Sequence, residues 1–413
     1  MAASAPAIVV TGIGAATPLG NSFGSIADAL ADGRSGVGRY DAGTYGRPQE
    51  HPAAAVADIP SPPASVVCLP PDDFGRRSRL EQLALGPAAW AIHDAGLELG
   101  GQQAPPPDRI GVIAGIGAEQ LKDWERDYLN GGHDVFGPAN RPTLVQRLAA
   151  TLGIGGPSTT VAAACASSGF ALALARSWLT AGWVDACLVG GCDVLSPTAL
   201  AAFHNLRALS RCEDHPQQAS RPFDRYRDGF VMGEGGVFFM LERRADADRR
   251  GARCYGELAG VGMTGDASHM VTPCSNPTEA ARAIDAALAD AGLTAETIDY
   301  INAHAAGTPV GDAAEAAAIR SALGPAAGRI PVSSTKSMSG HLISAASVFE
   351  AVACLAAIDR GFLPPTINLD EPDEACQLVH VPHTAITGKV EIAASNSFGF
   401  GGANLCLVLK RAA

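Results

Sequence analysis

Residues 161–169 read Val-Ala-Ala-Ala-Cys-Ala-Ser-Ser-Gly, and the spacing of apolar residues changes at the cysteine of this stretch. Residues 159–164 have the pattern of a short buried strand, whereas residues 168–181 carry apolar side chains at helical spacing. The pattern places Cys165 at a strand-to-helix turn. Because a helix N-terminus presents unpaired N–H groups, we expect it to stabilise a Cys165 thiolate and a nearby oxyanion. The alternative is a small buried apolar residue, the commoner role of a cysteine among alanines.

The composition is typical of a globular protein with a large core. The chain has 413 residues, of which 47% are hydrophobic and 17% are charged. Its net charge of -12 argues against a nucleic-acid partner, and no basic stretch suits a membrane surface. The ten cysteines lack paired CxxC spacing, so we expect neither a disulfide framework nor a zinc site. Without a signal-peptide pattern or a long apolar run, we expect a cytoplasmic protein.

Strand and helix patterns alternate along the chain, which predicts an α/β layered fold with mostly parallel, buried strands. Residues 39–73 are rich in Pro, Gly and Ala, and we expect a long surface excursion there. The alternation starts again at Gly256, so we predict two α/β halves, residues 1–255 with the cysteine and residues 256–413. No strong sequence repeat accompanies this division.

Two histidines close strand-like segments in the second half. His304 ends Tyr-Ile-Asn-Ala-His at residues 300–304, and His341 ends Lys-Ser-Met-Ser-Gly-His at residues 336–341. Both have small neighbours that leave space for a ligand, although each alone is more often a hydrogen-bonded structural residue. Metal ligation is disfavoured because no acidic residue follows either histidine by four positions.

Two further segments carry the composition of a site. Residues 220–235 are dense in Arg, Asp, Gly and aromatic side chains, which indicates an ordered, hydrogen-bonded segment near a site, although bracing alone would explain it. Residues 396–404 read Asn-Ser-Phe-Gly-Phe-Gly-Gly-Ala-Asn, without the lysine or following helix of a phosphate loop. Two aromatics among glycines suit a movable gate over an apolar channel.

Taken together, these segments resemble a known family. Residues 163–169, 220–235, 302–304, 336–341 and 396–404 are similar, in order and spacing, to the signatures of elongating type II β-ketoacyl-acyl-carrier-protein synthases. The resemblance implies a thiolase fold, in which two similar halves form five layers, α/β/α/β/α. It also implies a homodimer, or a heterodimer with a chain-length-factor subunit, and an acyl carrier protein as partner.

The same resemblance implies roles for residues of this chain. Cys165 would hold the acyl group as a thioester, with the N–H groups of Cys165 and Phe400 forming the oxyanion hole. His304 and His341 would bind the malonyl thioester and assist its decarboxylation, with no cofactor beyond the carrier's phosphopantetheine and no metal. The remaining implied residues are Lys336 and Glu350 for the charge network, Asp312 and Glu315 as further acidic support, Gly399 and Gly401 beside the Phe400 gate, Phe203, Thr308 and Phe398 for the pocket, and Arg76, Arg77, Arg207 and Arg211 for the carrier.

The chain departs from the family pattern at the second-half motifs. In the family, the first histidine is usually followed by Gly-Thr. This chain has Ala305 and Ala306 at those two positions, and so lacks the hydroxyl expected to bind the pantetheine arm. The glycines that usually follow the second histidine are replaced in residues 342–347, which read Leu-Ile-Ser-Ala-Ala-Ser, and Gly311 replaces an asparagine. These changes favour specialised polyketide, polyene or unusual fatty acid assembly over housekeeping synthesis.

Two other functions remain open at this point. An acyltransferase that passes the acyl group from Cys165 to an amine or alcohol would tolerate the altered 305–307 segment. A non-catalytic chain-length-factor subunit would typically lack the cysteine, so the presence of Cys165, His304 and His341 disfavours it, although the chain would still suit the active half of a heterodimer.

Overall fold

A computed structural model describes residues 5–41, 50–70, 72–119, 121–132 and 142–412. The strands are β1 Ile8–Ala16, β2 Gly38–Asp41, β3 Glu50–Ala54, β4 Ile110–Gly115, β5 Ser158–Val161, β6 Ala186–Asp193, β7 Met232–Gly233, β8 Gly235–Arg243, β9 Gly256–Gly265, β10 Tyr300–Asn302, β11 Pro331–Ser333, β12 Phe362–Leu363, β13 Val379–His380, β14 Ile386–Thr387, β15 Ile392–Gly399 and β16 Ala403–Lys410. The α-helices are α1 Phe23–Ala31, α2 Asp73–Arg76, α3 Arg79–Asp94, α4 Leu121–Leu129, α5 Leu144–Leu152, α6 Ser167–Thr180, α7 Pro197–Asn205, α8 Arg244–Arg249, α9 Thr278–Ala291, α10 Pro309–Leu323, α11 Lys336–Ser339 and α12 Ala346–Arg360. In these described residues, no helix is long and apolar enough to cross a membrane.

One large sheet organises the molecule, and its two ends repeat the same strand order. The full order is β13-β11-β10-β15-β16-β9-β1-β8-β6-β4-β5. In the first half, β1-β8-β6-β4-β5 are joined by two antiparallel and then two parallel pairings. In the second half, β9-β16-β15-β10-β11 follow the same sequence of directions. The halves are therefore topological copies, although the sequence shows no strong repeat.

The two half-sheets meet where β1 pairs with β9, through Val9 with Glu257 and Val10 with Gly256. The residue 255/256 boundary between units stays a prediction, because strand order alone does not show that either unit is independent. On one side of the first half-sheet, α3 packs against β1 and β8, and on the second half-sheet α9 packs against β9 and β16. A Cβ at Gly12 would lie 2.1 Å from the Ala91 carbonyl oxygen, so α3 reaches β1 only over glycine.

The helices α6 and α12 form the middle layer. They contact each other, α6 packs on β4 and β6, and α12 packs on β15 and β16. Every residue from Ala346 to Ile358 is buried, as expected for a helix that is covered on all sides. Each helix follows a short 3-10 turn, Ala164–Ala166 before α6 and Ile343–Ala345 before α12. The first residue of each turn has φ +48, so Cys165 and Ser344 occupy equivalent positions in the two halves.

The prediction of a surface excursion over residues 39–73 is partly wrong. Within it, β3 pairs with β2 and, in parallel, with β7 to form a three-stranded sheet. Ala53 and Ala54 are buried there. This strand has no periodicity of its own, and it is stabilised by pairing with a segment about 180 residues away.

Candidate active site

Cys165 lies in the predicted strand-to-helix turn, between β5 and α6, and is 6% exposed. It lines a cavity of about 370 Å³ together with both predicted histidines and the end of the glycine-rich segment. Among the described residues that line this cavity, the ones relevant to the chemistry are Cys165, His304, His341, Phe398, Gly399 and Phe400. Residues from three segments distant in the sequence thus surround the Cys165 thiol.

The environment of the thiol differs from the expected one. Burial raises the pKa of Cys165 to about 12, opposed by the Lys336 charge and by the N–H of Phe400, which donates to the sulfur. The Asp193 and Glu350 carboxylates raise the pKa further. The expectation of a stabilised thiolate is therefore wrong for this enclosed cavity, in which loss of solvent outweighs the favourable helix terminus.

Gly399 brings the glycine-rich segment against the cysteine turn. A Cβ at this position would lie 2.8 Å from the Ala163 carbonyl oxygen and 3.4 Å from the Cys165 nitrogen. Only glycine allows this approach, which places the Phe400 N–H beside the sulfur. Gly401 has φ +85 and does not line the cavity, but its N–H donates to the Met270 carbonyl at 2.9 Å.

His304 is held by its backbone and by one ring nitrogen. Its N–H donates to Glu315 Oε1 at 2.8 Å, and its Nδ1 lies 3.4 Å from Lys336 Nζ. Because an ammonium group only donates, Nδ1 accepts and the ring proton is on Nε2. Burial, the Lys336 charge and His341 lower the pKa of His304 well below its usual value, so the ring is neutral.

His341 faces His304, with ring centroids 5.3 Å apart. Its N–H donates to the Val231 carbonyl at 2.7 Å and its carbonyl accepts from Gly233 at 2.8 Å, so the 231–233 segment positions it. Burial and then the Lys336 charge lower its pKa well below the usual value. The cavity therefore holds two neutral imidazoles beside a protonated thiol.

Lys336 is buried behind the two histidines and pairs with Glu350. Burial raises the pKa of Glu350 to about 7, and the Lys336 charge opposes this shift. Buried partners of this kind are costly to separate, because either charge alone would lack both water and a counter-ion. The pair thus maintains a fixed positive charge close to His304 Nδ1.

Asp312 and Glu315 hold the cavity wall through backbone groups. Glu315 accepts from the N–H groups of His304 and Ala305 and from Asn396 Nδ2, at 2.6–3.1 Å. Asp312 accepts from the N–H groups of Phe223, Gly307 and Thr308, at 2.8–3.1 Å. Burial raises the pKa of Asp312 to about 6 and that of Glu315 to about 7, against these hydrogen bonds.

Arg227 is a supporting residue that sequence reasoning did not single out. Its guanidinium is buried and donates to the carbonyls of Thr308 and Pro309, at 3.2 and 2.8 Å, and to Asp373 at 2.6 Å. It also lies 3.6 Å from Asp312. The charge density of residues 220–235 signalled an ordered segment near a site, but it did not distinguish Arg227 from its neighbours.

The predicted pocket residues Phe203, Thr308 and Phe398 all line the cavity, and the Phe203 and Phe400 rings lie 6.2 Å apart. Ala305 and Ala306 also line it, so the wall is apolar where the family usually has a hydroxyl. Of the four arginines predicted for the carrier, Arg207 lines the cavity, whereas Arg76, Arg77 and Arg211 do not. Arg77 pairs with Asp73, and the Arg211 N–H donates to Asp228.

Residues 5–247 match the beta-ketoacyl synthase N-terminal domain, and residues 255–370 match the C-terminal domain. The chain belongs to the beta-ketoacyl synthase family. Two relatives of this synthase are 3-oxoacyl-[acyl-carrier-protein] synthase 2 of Synechocystis, 39% identical over 98% of both chains, and putative polyketide beta-ketoacyl synthase 1 of Streptomyces halstedii, 38% identical over 97% of both. The family expected from the sequence motifs is thus confirmed.

Solved structures agree with this assignment of the synthase. The ishigamide ketosynthase/chain length factor structure has a TM-score of 0.86 and 33% identity, covering 99% of this chain and 100% of that one. A type II polyketide acyl-carrier protein in complex with its hexaketide-bound ketosynthase has a TM-score of 0.86 and 29% identity, with the same coverage. These neighbours confirm the predicted thiolase fold.

No group of three or more His, Cys, Asp or Glu side chains suited to a metal ion occurs in the part of the synthase that the structure describes.

Proposed function

We propose that this protein is a 3-oxoacyl-[acyl-carrier-protein] synthase that carries out a decarboxylative Claisen condensation on an acyl chain held by Cys165. The observation that carries the proposal is the shared cavity of Cys165, His304 and His341, with the two rings neutral and 5.3 Å apart. A thiol beside two neutral N–H donors suits acyl transfer followed by enolate formation.

In the first step, Cys165 Sγ attacks the thioester carbonyl of the acyl carrier. The new S–C bond forms, the bond to the phosphopantetheine sulfur breaks, and the thiol proton passes to that departing sulfur. The N–H groups of Phe400 and Cys165 stabilise the oxyanion of the tetrahedral intermediate. The Phe400 N–H, which donates to the sulfur in the unacylated site, supports this role.

In the second step, malonyl carrier loses carbon dioxide and leaves an enolate. His304 and His341 donate Nε2–H groups to the enolate oxygen, which lowers the cost of the developing charge. The enolate carbon attacks the acyl carbonyl, the bond to Cys165 breaks, and the resulting thiolate takes a proton from water. Lys336 maintains His304 as the Nε2–H tautomer throughout, and the reaction needs no cofactor or metal.

The acyl carrier protein is the proposed partner, and Arg207, at the cavity, is the best-placed of the predicted basic residues.

We also propose a dimer, with either a second copy or a chain-length-factor subunit. The solved ketosynthase/chain length factor complexes support the second arrangement. The strand β5 lies next to the Cys165 turn and ends the sheet among the described residues, which supports either arrangement. Ten cysteines without a disulfide fit a reducing cytoplasm.

A second candidate is an acyltransferase that delivers the acyl group to an acceptor other than malonyl carrier. Ala305 and Ala306 favour it, because this part of the cavity wall offers no side-chain hydroxyl to a pantetheine arm. Both candidates share the acyl-Cys165 intermediate, so they differ only in the second step.

The test is intact mass of the purified protein after incubation with butanoyl-, hexanoyl- and octanoyl-carrier, followed by malonyl-carrier and product analysis. We expect an acyl adduct in the wild type and in a Cys68→Ala control, but none in Cys165→Ala, and discharge to a 3-oxoacyl product. An adduct that malonyl-carrier does not discharge, with or without a co-expressed partner subunit, would favour the acyltransferase. No adduct with any carrier would contradict both candidates.

A further inference from the structure

The N-termini of α6 and α12 are joined by two hydrogen bonds that run in opposite directions. Ser347 Oγ donates to the Cys165 carbonyl at 3.4 Å, and the Val348 N–H donates to Ser168 Oγ at 3.2 Å. The helices approach closely at Gly169, where a Cβ would lie 3.0 Å from Ser347 Cβ. A hydroxyl on α12 therefore contacts the backbone of the cysteine itself.

The α12 end of this junction is fixed by a second set of bonds. Ser344 Oγ donates to Asp193 Oδ2 at 2.8 Å and accepts from the Gly117 N–H at 2.8 Å. The Ser344 N–H also donates to Asp193, at 3.3 Å. Ser344 is fully buried. The turn before α12 is thus attached to the ends of β4 and β6, so Ser347 projects from a rigid base.

We propose that Ser347 is a positioning residue for the acylation of Cys165. Its hydroxyl fixes the Cys165 carbonyl, and through it the backbone that presents the Cys165 N–H to the oxyanion. This inference rests on the proposed function, because it concerns the step in which Cys165 attacks a thioester.

The turn has a strained conformation that such a contact would stabilise. Ala164 has φ +48, a region that residues other than glycine rarely adopt. A strained turn persists only when its surroundings hold it. The Ser167 hydroxyl holds one side, since it accepts from the Ala163 N–H and donates to the Ala164 carbonyl. From the opposite half, the Ser347 hydroxyl holds the Cys165 carbonyl.

The role can be separated from simple packing by comparing two reactions of the same sulfur. Acylation by a thioester passes through a tetrahedral oxyanion, which needs oriented N–H donors. Alkylation by iodoacetamide forms an S–C bond as iodide leaves, with no oxyanion. A change that disorients the donors slows acylation alone, whereas a change that buries or displaces the sulfur slows both reactions.

The experiment measures both rates in full-length wild type, Ser347→Ala and Ser347→Gly, using hexanoyl-carrier and iodoacetamide. We expect acylation to fall about tenfold in both variants, since loss of a whole oxyanion donor costs more, and alkylation to stay within about twofold. Ser177→Ala is the matched control, because its hydroxyl bonds a carbonyl of the same helix, Ala173, at 3.0 Å. Thermal melting identifies any variant that fails to fold. If one of the two Ser347 variants does not fold, the rates of the other one test the inference.

Equal acylation rates in the wild type and a folded Ser347 variant would overturn this inference and leave the proposed function intact. A parallel fall in acylation and alkylation would also overturn it, by showing a displaced sulfur. Absence of acylation in the wild type, with butanoyl- and octanoyl-carrier as well, would overturn the inference and the proposed function together.

Discussion

The sulfur of Cys165 is subject to two opposing effects. Removal from water favours the neutral thiol, whereas the Lys336 charge and the Phe400 N–H favour the thiolate. The first effect prevails, and the pKa rises to about 12. Selectivity follows, because a protonated, 6% exposed thiol is a poor target for adventitious electrophiles until a carrier delivers its substrate.

The pH dependence of Cys165 alkylation tests this balance. Since the raised pKa lies above the accessible range, the thiolate fraction and the alkylation rate should increase about tenfold per pH unit from pH 7 to 10, without a plateau. The measurement is the initial rate of iodoacetamide adduct formation at Cys165, read by peptide mass spectrometry. Exposed Cys68 serves as the internal comparison. A plateau for Cys165 near pH 7 would mean that the cavity stabilises the thiolate after all.

At the residue scale, the sequence predicted the side chains that share the cavity and did not predict those that hold them in place. Cys165, His304 and His341 were recognisable because their motifs are specific and small neighbours flank them. Arg227 and Ser347 were not, because their partners are backbone carbonyls that only the folded chain brings near. The proposed roles of all these residues stay predictions until they are measured.

Among the elements, β5 has the most consequential position. It ends the sheet, so one side of its backbone has no partner in the described chain. Val112 and Ile116 donate to the carbonyls of Pro157 and Val161, so in a parallel ladder the backbone of Thr160 points outward. Thr160 Oγ1 is also buried and has no hydrogen-bond partner among the residues that the structure describes. An exposed strand edge of this kind is a template for pairing with a second subunit.

Thr160→Pro should therefore separate the proposed dimer. Proline removes the outward N–H and is tolerated on an edge strand, so the fold itself should persist. Light scattering should report a mass near 42.1 kDa for this variant and about twice that for the wild type. Thr160→Ala, which keeps the N–H, should remain dimeric. A Thr160→Pro variant that stays dimeric would show that the interface does not use this edge.

Element prediction succeeded where the periodicity was strong and failed where a strand depends on a distant partner. The helix predicted over residues 168–181 is Ser167–Thr180, so both of its ends lie within one residue of their predicted limits. In contrast, β3 was not predicted, because its own sequence has no strand periodicity and its pairing with β7 stabilises it.

Over the whole molecule, the two halves share one core. A single buried cluster contains Val10, Leu172 and Leu241 of the first half with Phe349 and Leu407 of the second. Burying one large apolar side chain is worth about 1.5–3 kcal/mol. The net free energy of unfolding of a protein is only about 5–15 kcal/mol. The free energy lost when α6 and α12 are separated should therefore leave neither half stable alone.

Residues 256–413 expressed alone should therefore lack a cooperative thermal transition, because α12 would expose its apolar surface. The full chain should unfold in one transition by circular dichroism and by tryptophan fluorescence. Its four tryptophans all lie in the first half, so coincident curves would mean that both halves unfold together. A soluble fragment with a sharp melting curve would instead establish the second half as an independent domain.

The shared strand order has an evolutionary consequence. A protein assembled from two copies of one half-length chain would carry two equivalent turns, each able to hold a nucleophile. In this chain one of the two equivalent turns carries Cys165, and the other carries Ser344, which is hydrogen-bonded to Asp193 and to the Gly117 N–H. Two turns of the same backbone shape thus carry different side chains, a thiol at the cavity in the first half and a hydroxyl hydrogen-bonded on both sides in the second.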